Sequence, residues 1–183
     1  GTIYGGDGAR EIGLPDLRGR TALGGGPLQS PVGMSLPMTY MIAAEAGGAY
    51  PMLGAIGLFA GNFVPAGWLA ADGSALTIPQ NVPLFEAIGT AFGGNPEVFF
   101  KLPDLGQCAA VGVGAGPGLA PVALGETVAA GSDGIAGLGL NYLISTAGAV
   151  APDGGGGGFP PTAATLGEVI AFAGAAAPSG WAF

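Results

Sequence analysis

Short apolar runs alternate with glycine- and proline-rich breaks along the whole chain. Ile56 to Ala60 reads as a short apolar strand. Trp68 to Ile78 reads as a hairpin around Asp72-Gly73, a pair suited to a type I′ turn. Residues 80–91 carry helix signals: Asn81 stands at a cap, Pro83 suits the first turn, and Leu84, Phe85 and Ile88 share one face. Phe99 to Leu102 and Leu138 to Ser145 read as further strands, and the intervening segments are turn-rich. The pattern predicts a mainly β chain of the α+β kind, with short strands, hairpins and one short helix per module.

The runs recur. Gly1-Thr2-Ile3-Tyr4-Gly5-Gly6 returns as Gly89-Thr90-Ala91-Phe92-Gly93-Gly94, an offset of 88, which also carries Leu14-Pro15-Asp16-Leu17 onto Leu102-Pro103-Asp104-Leu105. Met38 to Ile42 returns as Leu140 to Ile144 at an offset of 102. Leu53 to Gly61 returns as Leu166 to Gly174 at an offset of 113, and Pro65-Ala66-Gly67-Trp68 returns as Pro178-Ser179-Gly180-Trp181. Internal periodicity of this kind marks modular folds. The expected organisation is the back half of one module in residues 1–52 and a complete module in 53–153. A Gly/Pro linker follows in 154–165, and the front strands of a third module in 166–183. The linker side holds Asp153, five glycines and Phe159-Pro160-Pro161, which reads as a flexible hinge with a stiff end. The chain begins at Gly1, which suggests a processed product or a segment of something longer.

Composition narrows the function. Only 9% of residues are charged and 49% are hydrophobic, against about 25% charged in typical soluble domains. That balance is opposite to disorder. Gly and Pro interrupt every apolar run before the roughly 18 residues a membrane-spanning helix requires, so membrane insertion is not expected. So few charges leave apolar surface to be covered between subunits. Net charge is −8, with only Arg10, Arg18, Arg20 and Lys101 positive, which argues against nucleic acid. Histidine is absent and Cys108 is the single cysteine, which removes the usual metal ligands and the base of any nucleophilic triad. No cofactor, metal site or catalytic residue is expected.

The stretch Leu58-Phe59-Ala60-Gly61-Asn62-Phe63-Val64-Pro65-Ala66-Gly67-Trp68, followed by Asp72-Gly73, resembles the opening of the phage tail collar domain. That domain also occurs in bacterial proteins named for microcystin dependence. Pro79-Gln80-Asn81, Leu84-Phe85, Ile88-Gly89-Thr90, Phe92-Gly93-Gly94 and Leu102-Pro103-Asp104-Leu105 continue the resemblance. Leu14-Pro15-Asp16-Leu17-Arg18-Gly19-Arg20 is similar to the family's most recognisable phrase, and Leu140 to Ile144 resembles its closing strand. The resemblance implies tandem tail-collar-like modules in a fibre protein, frequently trimeric. Histidine-bearing metal segments of some members have no counterpart here. Arg18 and Arg20 are replaced in the second copy by Gly106 and Cys108.

Other motifs have plain structural readings. Gly24 to Gly26, Gly112 to Gly116 and Gly154 to Gly158 lack the Lys-Ser/Thr of a phosphate-binding loop and read as turns and close packing. Asp16 and Asp104, each after a proline, are expected to accept bonds from turn amides. Arg18 and Arg20 are expected to pair with an acid on a neighbour. Tyr40, Tyr142, Trp68 and Trp181 read as core or subunit-contact aromatics.

The expected function is a non-enzymatic structural subunit of an extracellular fibre or filament, made of copies of itself and joined head to tail by sharing its terminal strand. Val169, Ile170, Phe172 and Trp181 would meet Gly1, Ile3 and Tyr4 of the next copy, with Arg18 and Arg20 at the interface. Phe59, Trp68, Asp72, Gly73, Asp104 and Tyr142 are the expected anchors of each module. The alternative is a virion tail-fibre segment that binds a host-surface receptor. The alanine-, glycine- and proline-rich loops offer few specific contacts for that role.

Overall fold

The computed structural model describes residues 2–11, 13–25, 35–45, 52–132, 134–146 and 168–183. The strands are β1 Thr21–Leu23, β2 Ser35–Pro37, β3 Thr39–Ala43, β4 Ala55–Phe59, β5 Trp68–Ala70, β6 Ala75–Thr77, β7 Gly94–Asn95, β8 Phe99–Lys101, β9 Cys108–Gly112, β10 Thr127–Val128, β11 Ala136–Ser145, β12 Val169–Phe172 and β13 Trp181–Ala182; the α-helix α1 is Val82–Ile88. The fold is mainly β, as the hydrophobic pattern predicts. The main sheet runs β10-β11-β12-β4-β3-β5, with β9 and β13 also paired to β11. A small sheet runs β6-β8-β7, and β1 pairs with β2. Residues 154–165, expected as a linker, lie outside the described residues.

The main sheet contains one three-stranded arrangement twice. In β3–β4 the partners are Thr39–Phe59, Tyr40–Leu58, Met41–Gly57 and Ile42–Ile56. In β11–β12 they are Asn141–Phe172, Tyr142–Ala171, Leu143–Ile170 and Ile144–Val169. Adding 102 to one strand and 113 to the other converts the first set into the second. The third strand follows suit: Ala43–Trp68 and Ile42–Leu69 correspond to Ser145–Trp181 and Ile144–Ala182. The parallel pairs Thr21–Ser35, Ala22–Leu36 and Leu23–Pro37 correspond to Ala109–Gly137, Ala110–Leu138 and Val111–Gly139 at offsets of 88 and 102.

Side-chain bonds repeat as well. Thr39 Oγ1 donates to the Gly61 carbonyl at 2.9 Å, and Asn141 Nδ2 to the Gly174 carbonyl at 2.8 Å. Tyr40 and Tyr142 hydroxyls reach the carbonyls of Ala22 and Ala110 at 3.3 and 3.4 Å. Gly61 and Gly174 are required by packing, because a Cβ at either would run into the ring of Phe59 or Phe172. The two arrangements meet where β4 pairs antiparallel with β12 through Ile56–Ala171 and Ala55–Phe172. Exchanging the strands by the 113 offset leaves that register unchanged, so a local twofold axis passes between β4 and β12. Each arrangement joins strands across the boundaries read from sequence: β4 and β5 complete β3, and β12 and β13 complete β11.

Residues 71–107 form an insert between β5 and β9. The expected Trp68–Ile78 hairpin is not formed: β5 pairs with β3, whereas β6 pairs with β8 in the small sheet. The reason is local. Asp72 Oδ1 accepts the Ser74 amide at 3.0 Å and also the Ser74 hydroxyl, while the Gly73 amide bonds Pro103 O at 3.2 Å. These bonds turn the chain out of one sheet and into the next rather than back on itself. Helix α1 appears where the pattern placed it, buries Leu84 and Ile88, and has Pro83 in its first turn. Asn81 precedes it but does not cap it through its side chain; its amide nitrogen donates to the Thr77 carbonyl at 3.0 Å. The insert contributes Leu84, Ile88, Phe100, Leu102 and Leu105 to a core shared with Tyr40, Ile42, Ile56, Leu138 and Leu140. Burying such side chains contributes about 1.5–3 kcal/mol each relative to exposure.

Candidate assembly surface

Residues directly opposite in a ladder share a face of the sheet, and alternate residues along a strand do too. The registers therefore place Tyr40, Ile42, Ile56, Leu58, Tyr142, Ile144, Val169 and Ala171 on one face. Only part of it is covered. Tyr40, Ile42 and Ile56 are 9%, 0% and 8% exposed, whereas their twofold equivalents Tyr142, Ile144 and Val169 are 41%, 43% and 59% exposed. The cause is the insert, whose apolar residues pack over the first set and extend to Leu138 and Leu140 but not along the rest of β11. Leu58, beside the twofold axis, is also exposed. A groove of about 460 Å³ opens at the axis, with Tyr40, Ile56, Leu58, Tyr142, Val169 and Ala171 among its walls. None of these residues carries a charge.

The residues expected at an interface are distributed as follows. Val169 is exposed, Ile170 and Trp181 are half-buried, and Phe172 is buried. Both edges of β12 are occupied within the chain, by β11 and β4. Ile3 and Tyr4 do not form a strand: the Gly5 amide bonds Thr2 O at 3.0 Å, closing a turn, and Gly5 and Gly6 continue at φ 106° and 98°. Tyr4 instead directs its hydroxyl at the Pro37 carbonyl, 3.4 Å away. Gly1 lies outside the described residues. Arg18 and Arg20 are exposed, and Arg18 pairs in its own chain with Asp16 through two 2.8 Å bonds.

The expected module anchors act mostly at turns. Asp16 Oδ1 accepts the Arg18 amide at 3.1 Å and Asp104 Oδ1 the Gly106 amide at 2.9 Å, equivalent bonds two residues on. The Arg18 side chain, then its amide, hold the Asp16 carboxyl below the usual carboxylate range. Asp72 and Asp104 are exposed and face each other across an isolated bridge, with Gly73 at φ 77° between the sheets. Phe59 and Trp68 are half-buried; Phe59 meets Phe63 edge-on at 5.0 Å, and Trp68 lies against Gly57. Trp68 and Trp181 hold equivalent places, each donating its amide three residues back, to Pro65 and Pro178 at 3.2 and 3.1 Å.

Burial pushes the Tyr40 hydroxyl up to about 12, and raises Tyr142 as well. Burial, with Asp104 nearby, also raises the Cys108 thiol, which disfavours the reactive thiolate. No cluster of three or more potential metal ligands occurs among the described residues, and no described helix is long and apolar enough to cross a membrane. Sequence reasoning did not place Leu58 or Ile144 at an interface. The consecutive apolar residues Tyr142, Leu143 and Ile144 put apolar side chains on both faces of a strand, and which face the insert leaves open is decided only by packing.

No curated protein and no solved structure matches the chain. The segment that does match a family begins at the turn before β4, carries the whole insert, and ends at the first residue of β9. Residues 54–108 match the family model of the phage tail collar domain.

Proposed function

We propose that the chain is a non-enzymatic structural subunit of a fibre of the phage tail type, borne on a virion tail or secreted as a filament, and that copies join by sharing the terminal strand. The observation that carries the structural role is the collar domain at residues 54–108, set in a sheet whose strand arrangement recurs about a local twofold axis. The recurring parts are packing contacts and turn bonds, and the apolar surface left open calls for a covering partner.

For strand sharing, the support is the position of β12. It fills a slot between β4 and β11, hydrogen-bonded on both sides. The sequence between β11 and β12 includes five consecutive glycines, Gly154 to Gly158. The same contacts form whether β12 and β13 come from one chain or from the next, which is the condition for exchange between protomers. The acceptor in this reading is the β4/β11 slot rather than Gly1 to Tyr4. Deleting residues 166–183 tests it: the truncated protein is expected to lose fibre formation, and a peptide of residues 166–183 to cap the parent and shorten its fibres. A truncated protein that polymerises like the parent overturns strand sharing.

A further inference from the structure

Residues 2–20 adopt the turns of the back half of the insert, residues 90–108, at the offset of 88. The Gly5 amide bonds Thr2 O at 3.0 Å as the Gly93 amide bonds Thr90 O at 2.9 Å. The Gly13 amide bonds Gly5 O at 2.8 Å as the Lys101 amide bonds Gly93 O at 3.0 Å. Asp7 Oδ1 accepts the Ala9 amide as Asn95 Oδ1 accepts the Glu97 amide, both at 2.9 Å. The Arg20 amide bonds Leu17 O as the Cys108 amide bonds Leu105 O, and Gly19 stands at φ 67° where Gln107 stands at φ 59°. The surroundings differ. Leu102 and Leu105 are 2% and 0% exposed, whereas their equivalents Leu14 and Leu17 are 77% and 38% exposed. The cause is the front half of the insert, which covers only the second copy. There the Leu102 amide donates to Ser74 O and the Leu105 amide to Ala71 O, each at 2.9 Å. Strand β6 pairs with β8, and Leu84 and Ile88 of α1 join Leu102 and Leu105 in one cluster. The amides of Leu14 and Leu17 have no hydrogen-bond partner among the described residues.

We infer that residues 2–20 are a preformed acceptor for the front half of an insert, a segment built like residues 71–88 and carried by a partner polypeptide. The covered copy specifies that segment. It is an extended stretch offering carbonyls at two positions three residues apart, as Ala71 and Ser74 do to Leu105 and Leu102. A short strand follows, then a helix burying two apolar residues four apart, as Leu84 and Ile88 are. The acceptor already holds its turns without this cover, so docking orders only the incoming segment. Charge permits the contact: residues 2–20 carry Arg10, Arg18 and Arg20 against Asp7, Glu11 and Asp16, a local balance of zero in an acidic chain. A segment with two acids, as Asp72 and Glu86 are in 71–88, meets no net repulsion there. A second copy has no such segment to spare. Its own front half is bonded to its own back half, Gly73 to Pro103 O and Ile78 to Val98 O at 3.2 and 3.1 Å. The acceptor involves neither β12 nor β13 and does not depend on strand sharing.

Amide hydrogen exchange of the full chain tests this, with and without a synthetic peptide of residues 71–88. A second protein carries the same residues fused directly before Gly1, as they precede Gly89 in the insert. Fusion raises the local concentration where the free peptide binds too weakly. The Leu14 and Leu17 amides are expected to exchange about tenfold more slowly in the covered state, as hydrogen-bonded amides do, with the Leu119 amide unchanged. A peptide carrying Leu84→Asp and Ile88→Asp is expected to leave all three unchanged. Slowing at Leu14 and Leu17 in either arm supports the inference. Unchanged exchange in both arms, or equal slowing with the variant peptide, overturns it. Slowing produced by raising the concentration of the parent alone would make the occupant a second copy, and overturns the choice of partner. Fibre length is not read in any arm, so a failure here leaves strand sharing as it stands.

Discussion

Ile42 and Ile144 occupy equivalent positions on β3 and β11, opposite Ile56 and Val169 respectively, yet one is fully buried and the other 43% exposed. Truncating each to alanine turns that difference into a measurement. At Ile42 the substitution removes three carbon groups, about 0.8 kcal/mol each by transfer, or about 2.4 kcal/mol. It also leaves a cavity in the core cluster that includes Leu84, Phe100 and Leu102, filled only partly by relaxation, which brings the expected cost to about 3–4 kcal/mol. At Ile144 part of the side chain already meets solvent and no closed cavity forms, so about 1 kcal/mol is expected in the isolated chain. Urea unfolding in dilute protein, with the slope checked for constancy, gives both values. Equal losses at the two positions would refute the reading that the insert covers only the first arrangement.

Gly73→Ala is expected to cost about 1–2 kcal/mol in the same assay, because φ 77° strains an alanine and its Cβ would stand 3.1 Å from that of Asp104. The Asp7 carboxyl, accepting the amides of Arg10, Glu11 and Ala9 at 2.7–2.9 Å, is held at about 2 against an ordinary 3.8. Its contribution to stability is therefore complete above the ordinary value and lost as pH falls through about 2, and an NMR titration of Asp7 with a midpoint near 3.8 would contradict it. Cys108 is expected to react with a thiol reagent at neutral pH more slowly than a free cysteine, since burial raises its pKa; a faster reaction would count against its placement in β9.

Three strands were legible because their signals are local, whereas β9 and β10 lie in a stretch that read as turns. Ile56 to Ala60, Phe99 to Leu102 and Leu138 to Ser145 show short apolar runs bounded by turn residues, and each coincides with a strand to within two residues. The helix was legible from Pro83, Leu84 and Ile88. The Asp72-Gly73 turn was located but its consequence was not, because the side-chain bonds of Asp72 to Ser74 and the pairing of β6 with β8 compete with the hairpin. Strand partners were also beyond reach. The recurrence of Met38 to Ile42 and Leu53 to Gly61 could be read from sequence, but not that β3 takes β4 across the boundary at residues 52 and 53. The open face escaped for the same reason. Tyr40 and Tyr142 lie in matching sequence contexts, and only the insert, from elsewhere in the chain, makes one a core residue and leaves the other partly in solvent.

In the function proposed, this chain is a building block of a fibre. Electron microscopy of the purified protein, imaged across a range of concentrations, tests that most directly. Fibres with a regular axial repeat, each repeat accounting for a whole number of chains, are the predicted result. A field of separate single-chain particles at every concentration would contradict it.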